Sequence, residues 1–374
     1  MPPLSVPTIK DVARLARVST ATVSAVVNGT SFVSAPLKAR VLEAIAQLGY
    51  EPSGVARSLR TQATRLIGLI VPDITNAFFA ELVRGMGAAA QARGYMTLLC
   101  ETDHDPQKET AALQLLAAHR TDGVILAPTG PADMYFQPPV STFRKPLVMI
   151  DRVVPGAPFD TVSIDNRRAA FEVTRHILSL GHRQVAILAG SPHLSNTVER
   201  LVGFRDALAA ARLEVAPEHI LYADFREDRA RELCLRLLAG TNPPTALFVS
   251  NNQMLIGAMQ AITDLSLICP DDISLAAIDD FPWAATFSPK LTTQRQPIAA
   301  LAEHAVRILH ERIRDPRPAM FENIRLRTEL IIRNSCVPPA APALLPVTVG
   351  PPRSLSPTPR RRGNARQPSG AGGS

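Results

Sequence analysis

From Leu66 onward the chain alternates short apolar runs with amphipathic stretches, and this alternation constrains the fold more than any other feature. Leu66–Val71 is an uncharged aliphatic run of the kind found in strands buried on both faces. A helix is predicted from about Ala77 to Arg93, a strand at Met96–Cys100 and a helix from about Gln107 to His119. Strands follow at Gly123–Ala127 and Leu147–Ile150. A second series begins near Asp165, with helix Arg167–Leu180, strand Val185–Ala189 and helices Val198–Ala211 and Glu227–Ala239. It continues with strand Ala246–Val249, helix Gln253–Leu265, strand Ile273–Ile278 and the long helix Ile298–Arg314. Strands separated by helices pair in parallel. Two such series predict an α/β chain of two doubly wound lobes, with strand ends facing a shared cleft.

The first sixty residues follow another rule. Thr8 and Asp11 have the spacing of a capping box, and Ile9, Val12, Ala13 and Ala16 share a helical face. Arg17-Val18-Ser19 breaks this helix, and Ser19 caps a second one with Val23, Val26 and Val27 as its apolar stripe. Thr20, Ala21, Thr22, Ser24 and Ala25 are its expected exposed positions, all small enough for close approach to a DNA major groove. A third helix starts at Ser34 with Pro36 in its first turn and Val41, Ile45 and Leu48 in its core stripe. Three short helices make a helix-turn-helix headpiece or a small helical bundle of another purpose.

Charge distribution favours the headpiece. Residues 1–65 carry eight Lys and Arg against three acids, within a net charge of +7 for the 374-residue chain. Residues 338–374 add five Arg and no acid, so the stretch between is slightly acidic. A basic head on a near-neutral body suits a phosphate-contacting module joined to a small-molecule module. The Pro-, Gly-, Ser- and Arg-rich tail lacks the apolar content of a core; it is a passive extension or a nonspecific anchor to DNA phosphates. It also lacks apolar heptads that could zip dimers into tetramers. Four scattered cysteines without a C-x-x-C pattern point to free thiols in a reducing cytoplasm and to no zinc site. The start of the chain runs straight into the first helix without a leader pattern, and no run of about 18 apolar residues predicts a membrane span.

Catalytic and cofactor patterns are few. Gly85-Met86-Gly87 imitates a dinucleotide fingerprint but falls inside a predicted helix, where small residues serve packing; no cofactor is expected. Asp279-Asp280, after the strand ending at Ile278, has the form of a carboxylate pair for acid–base work, but without a nearby His or metal pattern Asp279 reads as a hydrogen-bond acceptor in the cleft, or both residues as structural caps.

Thr8 to Leu59 resembles the DNA-binding headpiece of the LacI/GalR family of bacterial transcription regulators. The matching pieces are T-I-K-D-V-A, V-S-x-x-T-V-S, V-N-G, L-G-Y-E-P and V-A-R-S-L, and the likeness continues to about Cys336. The resemblance implies a headpiece at residues 1–50, a hinge helix and linker at 51–65, and a two-lobed effector and dimerisation domain at 66–337 resembling periplasmic sugar-binding proteins; residues 338–374 break the pattern, and their composition predicts a disordered tail. It implies lobe crossings near Asp165, Arg295 and Arg325. It implies DNA contacts by Thr8, Ser19, Thr20, Ala21, Thr22, Ser24, Ala25 and Asn28, and minor-groove contacts by Val55, Ala56, Arg57 and the wedge Leu59. Ser53-Gly54 departs from the family pattern, and a glycine there raises the ordering cost of a hinge helix.

Effector contacts are expected where loops follow strand ends: Asn76, Phe78, Phe79, Asp151, Asp165, Arg200, Phe225, Asn251, Asp279 and Trp283. Carboxylates, amides and a guanidinium suit the hydroxyls of a sugar-like ring, and aromatic rings suit its C–H face. Asn252, Ala277-Ile278 and Ala77 depart from the family's usual residues, so the ligand need not be an ordinary sugar. The expected protein is a cytoplasmic homodimer that represses transcription by binding double-stranded operator DNA under control of a small effector. The rivals are a solute-binding protein and a sugar-acting enzyme on the same fold.

Overall fold

The computed structural model describes residues 7–51, 63–315 and 320–339. Val55, Ala56, Arg57 and Leu59 lie outside the described residues, as does the tail from residue 340.

Helices α1 (Ile9–Leu15), α2 (Thr20–Asn28) and α3 (Ala35–Leu48) form the N-terminal module. The capping box is present: the Thr8 amide and hydroxyl both donate to Asp11 Oδ2, at 2.9 and 2.6 Å. Ser19 Oγ accepts from the Thr22 amide at 3.1 Å, and α2 ends at Gly29 in the left-handed conformation, φ +62°. Val12, Ala13, Ala16, Val23, Val41 and Ala44 close a small core. The Arg40 guanidinium ties α3 to the α1–α2 turn through the carbonyls of Ala16 and Arg17.

Among the described residues, two six-stranded sheets follow. The first contains β1 (Leu66–Val71), β2 (Met96–Glu101), β3 (Gly123–Leu126), β4 (Leu147–Ile150), β5 (Asp160–Ile164) and β11 (Asn323–Leu326), in the order β11-β5-β4-β3-β1-β2, parallel throughout. The second contains β6 (Val185–Ala189), β7 (Ile220–Tyr222), β8 (Ala246–Val249), β9 (Ser274–Ile278), β10 (Thr292–Arg295) and β12 (Glu329–Ile331), in the order β12-β10-β9-β8-β6-β7; only the edge strand β12 is antiparallel. Helices α4 (Ala77–Ala92), α5 (Pro106–Ala118) and α10 (Ile298–Arg314) cover the first sheet. Helices α6 (Asn166–Ser179), α7 (Ser195–Ala210), α8 (Glu227–Leu238) and α9 (Asn252–Asp264) cover the second. The chain passes between lobes after β5, after β10 and after β11, three crossings that hold both lobes at one cleft.

Two glycines set the helix spacing. A Cβ at Gly203 in α7 would lie 2.0 Å from the Arg167 carbonyl oxygen of α6, and one at Gly257 in α9 would lie 2.2 Å from that of Glu227 in α8. The backbones of each helix pair therefore touch only because the side chain is missing. Gly85 faces Ala302 of α10, whose Cβ would lie 3.0 Å from a Cβ placed on the glycine, whereas Gly87 faces open space; both lie inside α4 and do not bridge a strand to a helix.

Five strands escape the sequence reading: β5, β7, β10, β11 and β12. Most are short, and β5 and β10 bury polar residues whose partners are distant in sequence. Asp160 of β5 is 2 % exposed because Arg312 of α10 grips it with two hydrogen bonds of 2.9 and 2.8 Å. β2 lies at a sheet edge and leaves Met96, Leu98 and Leu99 exposed.

Candidate DNA-binding and effector sites

On α2, Thr20 and Ala21 are exposed and Thr22 and Ser24 half-buried. Ala25 corrects the expectation of an exposed position, being 8 % exposed. Its period places it about 200° from Val23, away from the core stripe. With only a methyl group it does not rise above its neighbours one turn away. Asn28 folds back on its own helix, donating to the Ser24 carbonyl at 2.7 Å. The surface of α2 thus offers hydroxyls and one exposed methyl. At the other end of the connector, the buried Asp122 carboxylate accepts from the amides of Thr64 and Arg65 at 2.8 and 2.9 Å and fixes where the chain joins β1.

Between the lobes a small cavity lies against the loops that follow the strands. Asn76, Phe78, Phe79, Asp151, Arg200, Phe225, Asn251 and Asp279 line it, with His104, Arg152, Asn196 and Gln296. The free space at its centre is about 20 Å³, about enough for one water. Asn76 and Asn251 cap α4 and α9 through their side-chain oxygens, accepting from Phe78 and Met254 amides at 2.9 Å each. Their amide groups are thereby held at the cleft. Phe78 and Phe79 meet edge to face at 5.0 Å.

Arg200 is 2 % exposed and spans the second lobe. Its Nε donates to Asn166 Oδ1 at 2.9 Å and its Nη1 to the Ser250 carbonyl at 2.5 Å. Asp151 and Asp279 lie near it, both in the left-handed backbone region, at φ +67° and +78°. Strained backbone of this kind gathers at functional sites. Burial raises both carboxyls above the usual range. Arg152 and Arg200 oppose the rise at Asp151; Arg200 and a 2.6 Å hydrogen bond from Gln296 oppose it at Asp279.

The roof is aromatic. Phe225 lies in the left-handed region, φ +61°, with its ring over Gly190 and stacked on His104 at 6.2 Å. The Arg152 guanidinium lies 5.3 Å from the Phe225 ring centre and 5.9 Å from that of Phe79. Burial, helped by Arg152, lowers the His104 imidazole to about 4, so the ring is neutral at neutral pH. Two residues lining the cavity carry a buried polar atom without a protein partner, His104 Nδ1 and Gln296 Oε1, and Arg152 Nε, without a hydrogen bond, faces Asp151 Oδ2 at 3.5 Å.

Two expected cleft residues stand elsewhere. Asp165 caps α6, accepting from the Arg168 amide at 3.0 Å, and its neighbour Asn166 makes the contact to Arg200 instead. Trp283 sits on the turn Pro282–Ala285, edge-on to Phe281 and 57 % exposed, outside the cavity wall. Asp280 is also structural, bound by Arg295 and Arg333 at 2.9 Å each. His104 and Gln296 escape the sequence reading. Their only signal is position, one in the loop after β2 and the other at a lobe crossing.

Residues 8–53 match the pattern described as bacterial regulatory proteins, lacI family, and residues 174–336 match the periplasmic binding protein-like domain. The HTH-type transcriptional repressor PurR of Haemophilus influenzae is 36 % identical over 334 residues, 88 % of this chain and 98 % of the relative. A crystal structure of the lac repressor dimer bound to operator and the anti-inducer ONPF superposes with a TM-score of 0.79 at 26 % identity, over 88 % of this chain and 99 % of that one. The transcriptional regulator CelR in complex with cellobiose gives a TM-score of 0.66 at 29 % identity, with the same coverage. Among the described residues no helix is long and apolar enough to cross a membrane. The chain belongs to the LacI family of bacterial regulatory proteins and is a DNA-binding transcriptional repressor under effector control.

Proposed function

We propose that the effector is a small, sugar-like polar ring held in the interlobe cavity, and that the cleft binds it without turning it over. The observation that carries this reading is the pair of partnerless buried atoms on His104 and Gln296, beside an Arg152 Nε that faces Asp151 at 3.5 Å without a hydrogen bond. An unpaired buried polar group costs about 1–3 kcal/mol, so two around one cavity point to a ligand that pairs with them. Asp151, Asp279, Asn196 and Arg200 supply further acceptors and donors, and Phe78, Phe79 and Phe225 supply apolar faces. Asp279 has an amide and a guanidinium for neighbours, an arrangement for holding hydroxyls and not for moving protons. The similarity to a cellobiose-bound regulator supports the sugar class.

The protein works on DNA in the cytoplasm as a homodimer. We assign base reading to Thr20, Ala21, Thr22 and Ser24 and phosphate contacts to Thr8, Ser19 and Asn28; the hinge contacts fall to Val55, Ala56, Arg57 and Leu59. No side chain on the exposed face of α2 can make a bidentate base contact, so DNA deformability carries much of the specificity. The exposed apolar residues of β2 give the second subunit a face to cover.

The test is a thermal-shift screen of pentoses, hexoses and disaccharides, with nucleobases for comparison, followed by anisotropy on an operator selected from random DNA. A sugar should both stabilise the protein and change operator affinity. Stabilisation by nucleobases alone would overturn the carbohydrate assignment.

A further inference from the structure

We infer that the body of the protein touches DNA as well as the headpiece, through a row of unpaired cations on the first lobe where the connector arrives. The parallel sheet builds this row. β4, β3 and β1 are neighbours, and the segments that enter them lie side by side at one end. There the Val124 amide donates to the Pro146 carbonyl at 2.9 Å, and the Asp122 amide to that of Leu66 at 2.7 Å. Arg144 and Lys145 stand just before β4, Arg120 just before β3 and Arg65 just before β1, and all four are exposed. The Thr64 hydroxyl donates to the Arg120 carbonyl at 3.0 Å, so Arg120 adjoins the last residues of the connector. Adjacent strands lie about 4.8 Å apart, so the row spans about 10 Å.

Charge pairing separates these four from their neighbours. Arg93 and Arg312, at the same end of the sheet, grip Glu303 and Asp160 and serve the packing of α10. Arg65, Arg120, Arg144 and Lys145 form no ion pair among the described residues, and the Arg65 guanidinium lies 5.5 Å from the Tyr95 ring centre. The Asp122 carboxylate is buried and taken by the amides of Thr64 and Arg65. Arg120 follows α5 and suits the negative end of that helix. Arg144 and Lys145 follow irregular chain, so no helix end accounts for them. An exposed cation without a carboxylate is open to a phosphate, and the headpiece brings a phosphate polymer close. From Glu51 to Ala63 the chain extends at most about 40 Å. Duplex DNA carries one charge per about 1.7 Å of axis, so a row of about 10 Å meets several phosphates. Such contacts read no sequence; they add affinity and orient the body on the duplex.

Anisotropy titrations of the full-length protein test this, on an operator selected from random DNA, at salt concentrations from about 50 to about 200 mM. The variant Arg120→Gln, Arg144→Gln, Lys145→Gln removes charge from the row and leaves Arg65, which also packs on Tyr95, in place. The variant Arg175→Gln, Arg205→Gln, Arg212→Gln removes the same charge from exposed positions of the second lobe. Each cation on a phosphate contributes about 1 to the slope of log affinity against log salt, so the row variant should have a slope shallower by about 2 or more. The second-lobe variant should keep the wild-type slope. Exchanging one cation for the other, in Arg120→Lys, Arg144→Lys, Lys145→Arg, should preserve it too, with circular dichroism showing that all three variants fold. An unchanged slope in the row variant, or the same fall in the second-lobe variant, overturns the inference.

Discussion

Gly190 gives the sharpest probe of the cleft roof. It follows β6, and a Cβ placed on it would lie 2.1 Å from Cζ of Phe225, with Cε2 and Cε1 at 2.2 and 2.5 Å. Carbon contacts sit at about 3.5–4.0 Å, so Gly190→Ala must displace the ring by roughly 1 Å or more. Phe225 has few ways to yield. Its backbone is already left-handed, and its ring is stacked on His104 and covered by Arg152. Inward movement meets a space of about 20 Å³; outward movement breaks the stack and the cation–π contact.

Overpacking of a core costs about 1–3 kcal/mol. Phe225 sits on a loop at the cleft mouth, so folding should lose about 1 kcal/mol, the low end of that range. Effector binding should lose a comparable amount, because an aromatic face contributes about 0.5–1.5 kcal/mol beyond area and is moved off its position. A loss of about 2- to 13-fold in affinity is expected. Urea melts and calorimetry with the effector from the screen read the two quantities separately. The double variant Gly190→Ala, Phe225→Ala should be no less stable than Phe225→Ala, since the clash is gone. Wild-type affinity and stability in Gly190→Ala would refute the placement of the ring.

Arg200→Met should destabilise the protein by about 3–5 kcal/mol, because two buried carboxylates lose their shared cation, and it should abolish the effector response while operator binding persists; operator binding lost at temperatures where the variant is folded would contradict a cleft-only role. Glu109 is fully buried, and burial pushes its carboxyl from 4.5 up to about 7. The folded state therefore holds this proton to higher pH than the unfolded state, so its contribution is complete below about 4.5 and is lost as pH rises through about 7, a span of about 3 kcal/mol. Glu109→Gln should flatten that slope in urea melts between pH 5 and 8, and an unchanged slope would refute the assignment. Leu59→Ala should leave the melting curve unchanged and weaken specific operator binding by about 1–3 kcal/mol with less DNA bending; unaltered affinity and bend angle would show that it is not a wedge.

What the residues alone reveal divides along a physical line. Leu147–Ile150, Val185–Ala189, Ala246–Val249 and Ile298–Arg314 have the same bounds in sequence and structure, because burial on both faces or on one stripe writes itself into adjacent residues. β5 and β10 leave no such mark. Asp160 depends on Arg312, and Thr293 on Arg333 and Asp280, partners that come from distant stretches of the chain. The cleft behaves alike. Asn76, Asp151, Asn251 and Asp279 are legible because parallel strands deliver their C-terminal loops to one place. Asp165 and Trp283 stand apart through local choices that position alone does not reveal, an N-cap at one and an outward turn at the other. Ala25 shows the same limit in the headpiece, where helical period gives its direction but not its cover.

The contacts between the lobes explain how a small ligand can govern so large a body. Asn196 donates to Asp151 at 3.3 Å, Gln253 to Asp73 at 3.4 Å, and the Val153 amide to Ser195 at 2.8 Å; Arg226 and Asp103 approach only to 4.0 Å at the exposed mouth. The neutral Val153–Ser195 bond contributes about 0.5–1.5 kcal/mol net, a bond to a carboxylate about 1.5–3 at most, and the exposed pair at most about 1. Against these stand the partnerless atoms of Gln296 and His104, which the closed cleft keeps from water. Lobe closure is therefore balanced between a few modest gains and a few modest penalties. A ligand that pairs those two atoms removes the penalties only in the closed arrangement, which is the differential affinity that allostery requires. A coupling of about 1–3 kcal/mol follows without any large new interface. Asp122 fixes Thr64 and Arg65 on the first lobe, at the end of the connector that leads to the DNA-binding helices.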